Sequence, residues 1–188
     1  MTMATDGTHP VANAPSTVPN ERFHVMPHEM PLMLIKEIVE GFAVSAAHTR
    51  QAGLDGVELV ASHCHLLGQF LNPNINRRSD VYSNLRAGRM RFLQEAIAAA
   101  RRGAGEDMIL GVRLSGEEQD HDGPEMDEML EVRTALDADP PLDYLNVTAG
   151  TSAGLAGSAQ IVPPMAYEAT DTAPIAAAIK ARVGKPVF

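Results

Sequence analysis

The sequence contains few of the residues that build disulfide-rich, metal-cluster or nucleic-acid-binding proteins. Cys64 is the single cysteine among 188 residues, which excludes an internal disulfide and any four-cysteine zinc or iron–sulfur cluster within this chain. Lys and Arg number 15 against 24 Asp and Glu, and the net charge is −9. An acidic chain lacks the basic surface that neutralises nucleic-acid phosphates, and we therefore expect no nucleic-acid partner.

Aromatic residues and long hydrophobic runs are also scarce. The chain has no Trp, three Tyr and five Phe, so aliphatic side chains must fill most of the core. No apolar run approaches the roughly 20 residues that span a bilayer. The opening segment, MTMATDGTHPVANAPSTVP, lacks the basic start and apolar stretch of a secretory signal. We expect a cytoplasmic protein with no membrane association.

Hydrophobic periodicity predicts alternating helices and strands after an extended N-terminal segment, residues 1–26. Predicted helices begin at Pro31, cover residues 89–102 and 126–136, and begin again at residues 171–172; predicted strands cover residues 56–61, 108–114, 143–148 and, as an opening strand, 186–188. Uniformly apolar strands between helices are typical of a parallel sheet covered by helices. An open doubly wound sheet and part of an eight-stranded α/β barrel both fit.

In either architecture, ligands bind at the C-terminal ends of the strands. His63 and His65 follow the first predicted strand, Arg113 ends the second, and residues 148–151 follow the third. The connection from residue 62 to 88 is much longer than the usual length of about 2–6 residues, which favours a binding loop. Arg113 ends an apolar strand and needs a partner, either a strand-end carboxylate such as Glu58 or an anionic ligand.

A metal site is the alternative interpretation of the two histidines. His63 and His65 are spaced like ligands on one face of a strand, as in barrel metallohydrolases. The other strand ends carry Arg113 and Asn146 instead of further carboxylates or histidines, and we therefore predict no metal. The sequence also contains no glycine-rich phosphate-binding motif of the dinucleotide or Walker type.

Three stretches together resemble a known flavoenzyme family: AGLDGVELVASHCHLLGQFLNPNINRRSDVY, GRMRFLQEAI and ILGVRLS. They are similar to Old Yellow Enzyme-like NADH:flavin oxidoreductases of the 2,4-dienoyl-CoA reductase and trimethylamine dehydrogenase type. The resemblance covers residues 27–188 and implies part of a TIM (β/α)8 barrel. It implies FMN as cofactor, NAD(P)H as electron donor, and a small organic substrate, either an N-methylated amine or an enone. The stretch DYLNVTAGTSAGLAGSAQIVPPM resembles the amine-demethylating branch.

The resemblance also implies roles for three residues. Arg113 matches a strand-end arginine beside the flavin, where a positive charge stabilises the reduced, anionic ring. His63 matches the second member of a substrate-binding pair whose first member falls on Val60. His65 stands where many reductases have a Tyr proton donor, which makes it a candidate proton relay. The departures at Val60 and His65 weaken the case for enone reduction more than the case for flavin binding.

Other flavin contacts of the family do not occur in these residues. The contacts from the first barrel strands and the Gly-Arg turn that holds the phosphate have no counterpart here. We therefore expect a partial barrel of central-to-late strands. Such a chain is either an oxidoreductase that works as a homo-oligomer or with a completing polypeptide, or a non-catalytic fragment. A metal-dependent barrel hydrolase is a more distant alternative.

Overall fold

The computed structural model describes residues 11–118, 126–138, 142–165 and 172–188. Helices and strands alternate along the chain after a short N-terminal pair of strands, which confirms the predicted α/β pattern. The first ten residues of the predicted extended segment, and residue 171, lie outside the described residues. The elements are β1 (Asn13–Ala14), β2 (His28–Glu29), α1 (Leu32–Gln51), β3 (Gly56–Ala61), α2 (Leu66–Leu71), α3 (Arg86–Ala104), β4 (Ile109–Glu117), α4 (Met126–Ala138), β5 (Tyr144–Ala149), α5 (Leu155–Ile161) and α6 (Thr172–Lys180).

The main sheet is parallel, with strand order β3-β4-β5. Its register places Val60 opposite Arg113 and Arg113 opposite Asn146. Residues 186–188 lie beside β5: the Leu145 N–H donates to Pro186 O at 3.0 Å, and the Val147 N–H donates to Phe188 O at 2.8 Å. The predicted fourth strand therefore pairs with β5, at the position of the next strand of a barrel.

One face of this sheet packs against helices and the other does not. Leu59, Leu110 and Leu145 on the first face are buried, whereas Val60 is 39% exposed and Ile109 51% exposed on the second. We call these the outer and inner faces of the sheet. A doubly wound sheet carries helices on both faces, so the described residues form part of an α/β barrel.

Helices α1 and α3 pack closely at a glycine whose role the sequence did not show. The sequence places the end of α3 at Arg102 with Gly103 beyond it, but the helix continues to Ala104. Gly105, with φ 78°, ends the helix and donates its N–H to Arg101 O at 2.8 Å. A Cβ at Gly103 would overlap the carbonyl oxygen of Ala43 in α1, so Gly103 allows the two helices to meet.

Two further elements differ from the sequence-based expectation. Strand β4 runs to Glu117 rather than ending at residue 114, because Ser115 and Glu117 still pair with β5 around an irregularity in the ladder. Helix α5 follows β5 and was not predicted, since its short run of Ala, Gly and Ser carries little periodic signal. Both differences change the C-terminal edge of the sheet, where ligands bind in this fold.

The N-terminal segment is fastened to the rest of the fold by a buried arginine. Arg78 is 5% exposed and donates from Nη1 to Pro15 O at 2.9 Å and to Met30 O at 2.8 Å. Asp80 pairs with the Arg78 guanidinium, with 2.6 Å between Arg78 Nη2 and Asp80 Oδ2. Strands β1 and β2, which pair in parallel, are held by this contact. Among the described helices, none is long and apolar enough to cross a membrane.

Candidate functional site

The inner face of the sheet carries a polar cluster centred on Glu58. Arg113 pairs with it at 2.7 Å between Nη2 and Oε1. Tyr144 donates its hydroxyl to Glu58 Oε2 at 2.9 Å, and Asn146 donates from Nδ2 to the same oxygen at 3.0 Å. Of the two partners that the sequence left open for Arg113, a strand-end carboxylate or an anionic ligand, the structure shows the carboxylate of Glu58. Strand β5 contributes two further residues to the cluster.

Glu58 keeps the hydroxyl of Tyr144 protonated and leaves part of Arg113 unused. Burial, together with the hydrogen bond to the Glu58 carboxylate and its negative charge, raises the pKa of Tyr144 to about 12, so its hydroxyl stays protonated as a donor. The Arg113 side chain is 40% exposed. Its Nε is buried and has no hydrogen-bond partner among the described residues. The arginine therefore keeps donors that Glu58 does not use.

An open cleft of about 570 Å³ lies beside this cluster. It is lined by the first residues of the strands and by the last residue of the chain: Gly56, Val57, Glu58, Ile109, Tyr144, Asn146 and Phe188. Because these residues begin the strands, the cleft lies toward the N-terminal half of the inner face. The predicted site residues His63 and His65 lie at the other end of the sheet.

His63 and Cys64 form a tight left-handed turn at the end of β3. Their φ angles are 54° and 58°, and the His65 N–H closes the turn on Ser62 O at 3.0 Å. Two consecutive residues with positive φ are the pattern of a type I′ turn. The interpretation of His63 and His65 as metal ligands on one face of a strand is therefore wrong, because the chain turns between the two residues.

The two histidine rings stand apart at the strand end. Their centroids are 6.5 Å apart, with the ring planes at 86°. Burial lowers the pKa of His63, and the nearby charges of His65 and Arg113 lower it further. Partial desolvation also lowers the pKa of His65. Both rings are therefore predominantly neutral at neutral pH. No group of three or more His, Cys, Asp or Glu that could hold a metal ion occurs in the described residues.

Three residues that the sequence did not single out hold His63 in place. Ser115 Oγ accepts the His63 N–H at 2.8 Å, Gly150 O lies 3.3 Å from His63 Nδ1, and Ser152 Oγ donates to His63 O at 2.7 Å. In the sequence, the position of residues 148–151 after a predicted strand indicated this region, but it indicated none of the individual contacts to His63. The structure thus brings His63 together with the ends of β4 and β5.

The inner-face residues fit part of a flavin. The exposed part of the Arg113 side chain suits the electron-rich edge of a flavin ring, which carries negative charge when reduced. The chain has no glycine-rich phosphate-binding motif. The fit of the described residues therefore concerns the ring system of the flavin.

Comparison with known proteins places these features in a family. The family model described as the NADH:flavin oxidoreductase / NADH oxidase family matches residues 3–152. An N,N-dimethylglycine/sarcosine dehydrogenase of Chromohalobacter salexigens is 33% identical over 154 residues, covering 82% of this chain and 22% of that protein. A multifunctional alkene reductase/demethylase of Caballeronia cordobensis is 35% identical over 176 residues, covering 93% of this chain and 25% of that protein.

Solved structures show the same fold. A 2-naphthoyl-CoA reductase complex superposes with a TM-score of 0.82 at 24% identity, covering 94% of this chain and 26% of that chain. Morphinone reductase in complex with tetrahydroNAD superposes with a TM-score of 0.70 at 23% identity, covering 95% of this chain and 48% of that chain. The chain thus spans about a quarter of the length of the two curated relatives.

Proposed function

This chain belongs to the NADH:flavin oxidoreductase / NADH oxidase family, and from that premise we propose that it forms the flavin-facing part of an FMN-dependent oxidoreductase. The reaction is hydride transfer between flavin and a small organic substrate, an N-methylated amine or an enone. The observation that carries the proposal is Arg113, whose side chain lies on the inner face of the sheet and is 40% exposed. The unit that forms this site is residues 27–188, with residues 1–26 as an extended segment.

Four residues have a role in this proposal. Arg113 holds the flavin ring and stabilises negative charge on it, while Glu58 aims the guanidinium through the 2.7 Å contact. His63 orients the substrate, and His65 relays a proton between substrate and solvent. When bound, FMN would supply the hydride chemistry itself.

The names of the relatives support the reaction class. One is a dehydrogenase of N-methylated amino acids, another is both an alkene reductase and a demethylase, and a third is an NADH oxidase of Thermoanaerobacter brockii. The fold neighbour with bound tetrahydroNAD supports a nicotinamide nucleotide, NAD(P)H, as electron donor. The same comparisons support both substrate classes.

Flavin binding by the 188-residue chain tests the proposal. FMN affinity is measured by fluorescence titration for the wild-type chain and for Arg113→Ala, Arg113→Lys and Arg182→Ala. A charge-assisted hydrogen bond contributes about 1.5–3 kcal/mol, so Arg113→Ala should weaken FMN binding by about 10- to 100-fold. Arg113→Lys keeps the charge and should lose less.

Arg182 is the matched control because it is an exposed arginine beyond α6. Arg182→Ala should leave the affinity unchanged. Equal affinities for wild type and Arg113→Ala would remove Arg113 from the flavin site. A wild-type chain that retains no FMN, even with excess FMN present, would contradict the proposal for this chain.

The open sheet supports a second candidate, a half-barrel that requires a completing partner. Strand β3 pairs only with β4 among the described strands, and Phe188 beside β5 is 70% exposed. Unpaired strand edges favour association. Sedimentation velocity distinguishes the candidates: a monomer that binds FMN argues against an obligatory partner, and a flavin-free monomer favours the non-catalytic reading.

A further inference from the structure

Helix α4 carries a fully buried arginine, Arg133, that has no counter-ion. Burial lowers the pKa of Arg133 to about 9, and no charged neighbour contributes to that shift, so the guanidinium is still positively charged at neutral pH. None of the ion pairs in the described part of the chain includes it. A buried charge without a partner costs free energy, so the position of this arginine needs a physical reason.

The hydrogen bonds of Arg133 join α4 to the end of β4. Nη1 donates to Met129 O, one turn earlier in the same helix, at 2.6 Å, and Nη2 donates to Ser115 O. The third donor atom, Nε, is buried and has no hydrogen-bond partner among the described residues. Within the described part of the chain, Ser115 is therefore the one residue outside α4 to which this guanidinium donates.

Strand β4 departs from regular pairing at the residue that Arg133 contacts. The register with β5 shifts between Ser115 and Glu117. Gly116 lies between them, and a Cβ there would overlap the Ile175 side chain of α6. Irregularities of this kind disrupt the ladder locally and re-aim side chains. The hydrogen bond from α4 therefore holds the backbone of β4 at a point where the sheet holds it less firmly.

The hydroxyl of Ser115 joins the ends of the two neighbouring strands. Ser115 is 2% exposed, and its Oγ accepts the His63 N–H at 2.8 Å and donates to Gly150 O at 3.3 Å. A hydroxyl has one donor and two acceptor lone pairs, so both contacts form at once. The His63 carbonyl in turn accepts the Ser152 N–H at 3.1 Å. The position of one serine thus determines how β3 and β5 meet across β4.

We propose that Arg133 is a positioning residue: it holds the carbonyl of Ser115 and thereby sets the hydroxyl that joins the ends of β3, β4 and β5. The inference rests on the proposed function in that this joined edge carries His63. An apolar side chain of similar length would fill the same space without a desolvated charge. The charged arginine therefore fixes the geometry of the strand ends and lowers the stability of the fold.

Native-state hydrogen exchange of the ¹⁵N-labelled 188-residue chain tests the proposal. Arg133→Met keeps the length of the side chain and removes its charge and donors. We expect the N–H groups of His63 and Ser152 to exchange about fivefold faster, the effect of one net hydrogen bond. The N–H of buried Leu93 in α3 should become no faster, and the midpoint of urea unfolding should stay equal or rise. An unchanged rate at His63, or a variant that no longer folds, would overturn the proposal.

Two further variants of α4 separate a positioning role from core packing. Arg133→Lys keeps the charge and one donor atom, and its His63 N–H should exchange more slowly than in Arg133→Met; faster exchange would contradict the role of the donor. Leu136→Ala removes a fully buried side chain from the same helix. It should lower the urea midpoint without speeding exchange at His63 more than at Leu93. If Arg133→Met gives the pattern of Leu136→Ala, Arg133 only fills the core and the proposal is wrong.

A double-mutant cycle tests whether Arg133 acts through Ser115. Ser115→Ala removes the hydroxyl and should itself speed exchange at His63. The chain with both Ser115→Ala and Arg133→Met should then exchange no faster at His63 than the chain with Ser115→Ala alone. If the two effects multiply, Arg133 acts by another route and the proposal fails. None of these measurements involves flavin, so a failure here is distinguishable from a failure of FMN binding at Arg113.

Discussion

The phenol ring of Tyr144 lies directly against the backbone of Gly111 on the inner face of the sheet, so closely that a Cβ at Gly111 would overlap the ring. The two residues are opposite each other in the β4–β5 register. The missing side chain lets the ring cross β4 and deliver its hydroxyl to Glu58 on β3 at 2.9 Å. Glu58 in turn pairs with Arg113, so a glycine in one strand supports the charge cluster of the site.

Replacing Gly111 with Ala should therefore destabilise the chain through its clash with Tyr144. Overpacking of this kind typically costs about 1–3 kcal/mol. In a Tyr144→Ala background the space is empty, and the same substitution should cost little. Urea unfolding of the four chains of this double-mutant cycle gives the coupling free energy. Equal costs in both backgrounds would show that the ring does not require a glycine at residue 111.

Replacing Gly103 and Gly41 with alanine should change the free energy of unfolding in opposite directions. Gly103→Ala places a methyl group against the carbonyl of Ala43 and should destabilise the α1–α3 packing by about 1–3 kcal/mol or more. Gly41 lies within α1 with nothing within 4 Å of an added Cβ. Gly41→Ala should stabilise the helix by about 0.5–1 kcal/mol. Thermal or urea unfolding measures both; a neutral Gly103→Ala would contradict the close helix contact.

Asp80 should contribute stability that is lost in acid. The hydrogen bond from Arg78 holds the pKa of the Asp80 carboxyl below its usual value. The folded state then binds its proton less readily than the unfolded state, so the contribution is present above the unfolded pKa of about 4 and lost as pH falls through the folded value. Because Asp80 is 30% exposed, we expect Asp80→Asn to cost about 1–2 kcal/mol at neutral pH.

The control for this prediction is Asp107→Asn, at an exposed bend before β4. Unfolding free energies are compared at neutral pH and below about pH 4. The difference between wild type and Asp80→Asn should shrink in acid, and Asp107→Asn should show no such pattern. A gap that stays constant across this pH range would mean that the Arg78 contact does not depend on the Asp80 charge.

Asp137 should hold the last residues of the chain against β5. Its carboxylate accepts the N–H groups of Gly184 and Lys185 at 3.0 Å, and residues 186–188 then pair with β5. Asp137→Ala should speed amide hydrogen exchange at Phe188 and Leu145 by about fivefold, since a net hydrogen bond contributes roughly 1 kcal/mol.

The internal control for Asp137 is the amide of Val112 in the middle of β4, whose exchange should not change. Glu131→Ala, at an exposed position on the same helix, is the matched variant and should leave the exchange at Phe188 unaltered. Uniformly faster exchange at all three amides would indicate global destabilisation instead of release of residues 184–188.

Periodicity in the sequence was sufficient for the main elements but not for their ends. The apolar run of β4 predicts its first residues, yet Ser115 continues the strand because its backbone pairs with β5. Gly103 looks like a helix terminator from its position, yet it lies inside α3 because α1 must approach there. In both cases the contact that sets the end of the element comes from another element, and the local sequence pattern carries no information about that contact.

The sequence by itself determined the alternation of helices and strands, the family resemblance, and the need of Arg113 for a partner of opposite charge, since these depend on local periodicity, motif and the cost of an unpaired charge. Tertiary structure decided which atoms meet. Ser115 and Gly150 reach His63 across 52 and 87 residues of sequence because strand register and a left-handed turn bring three strand ends together. The contacts that hold His63 follow from that packing and from no motif.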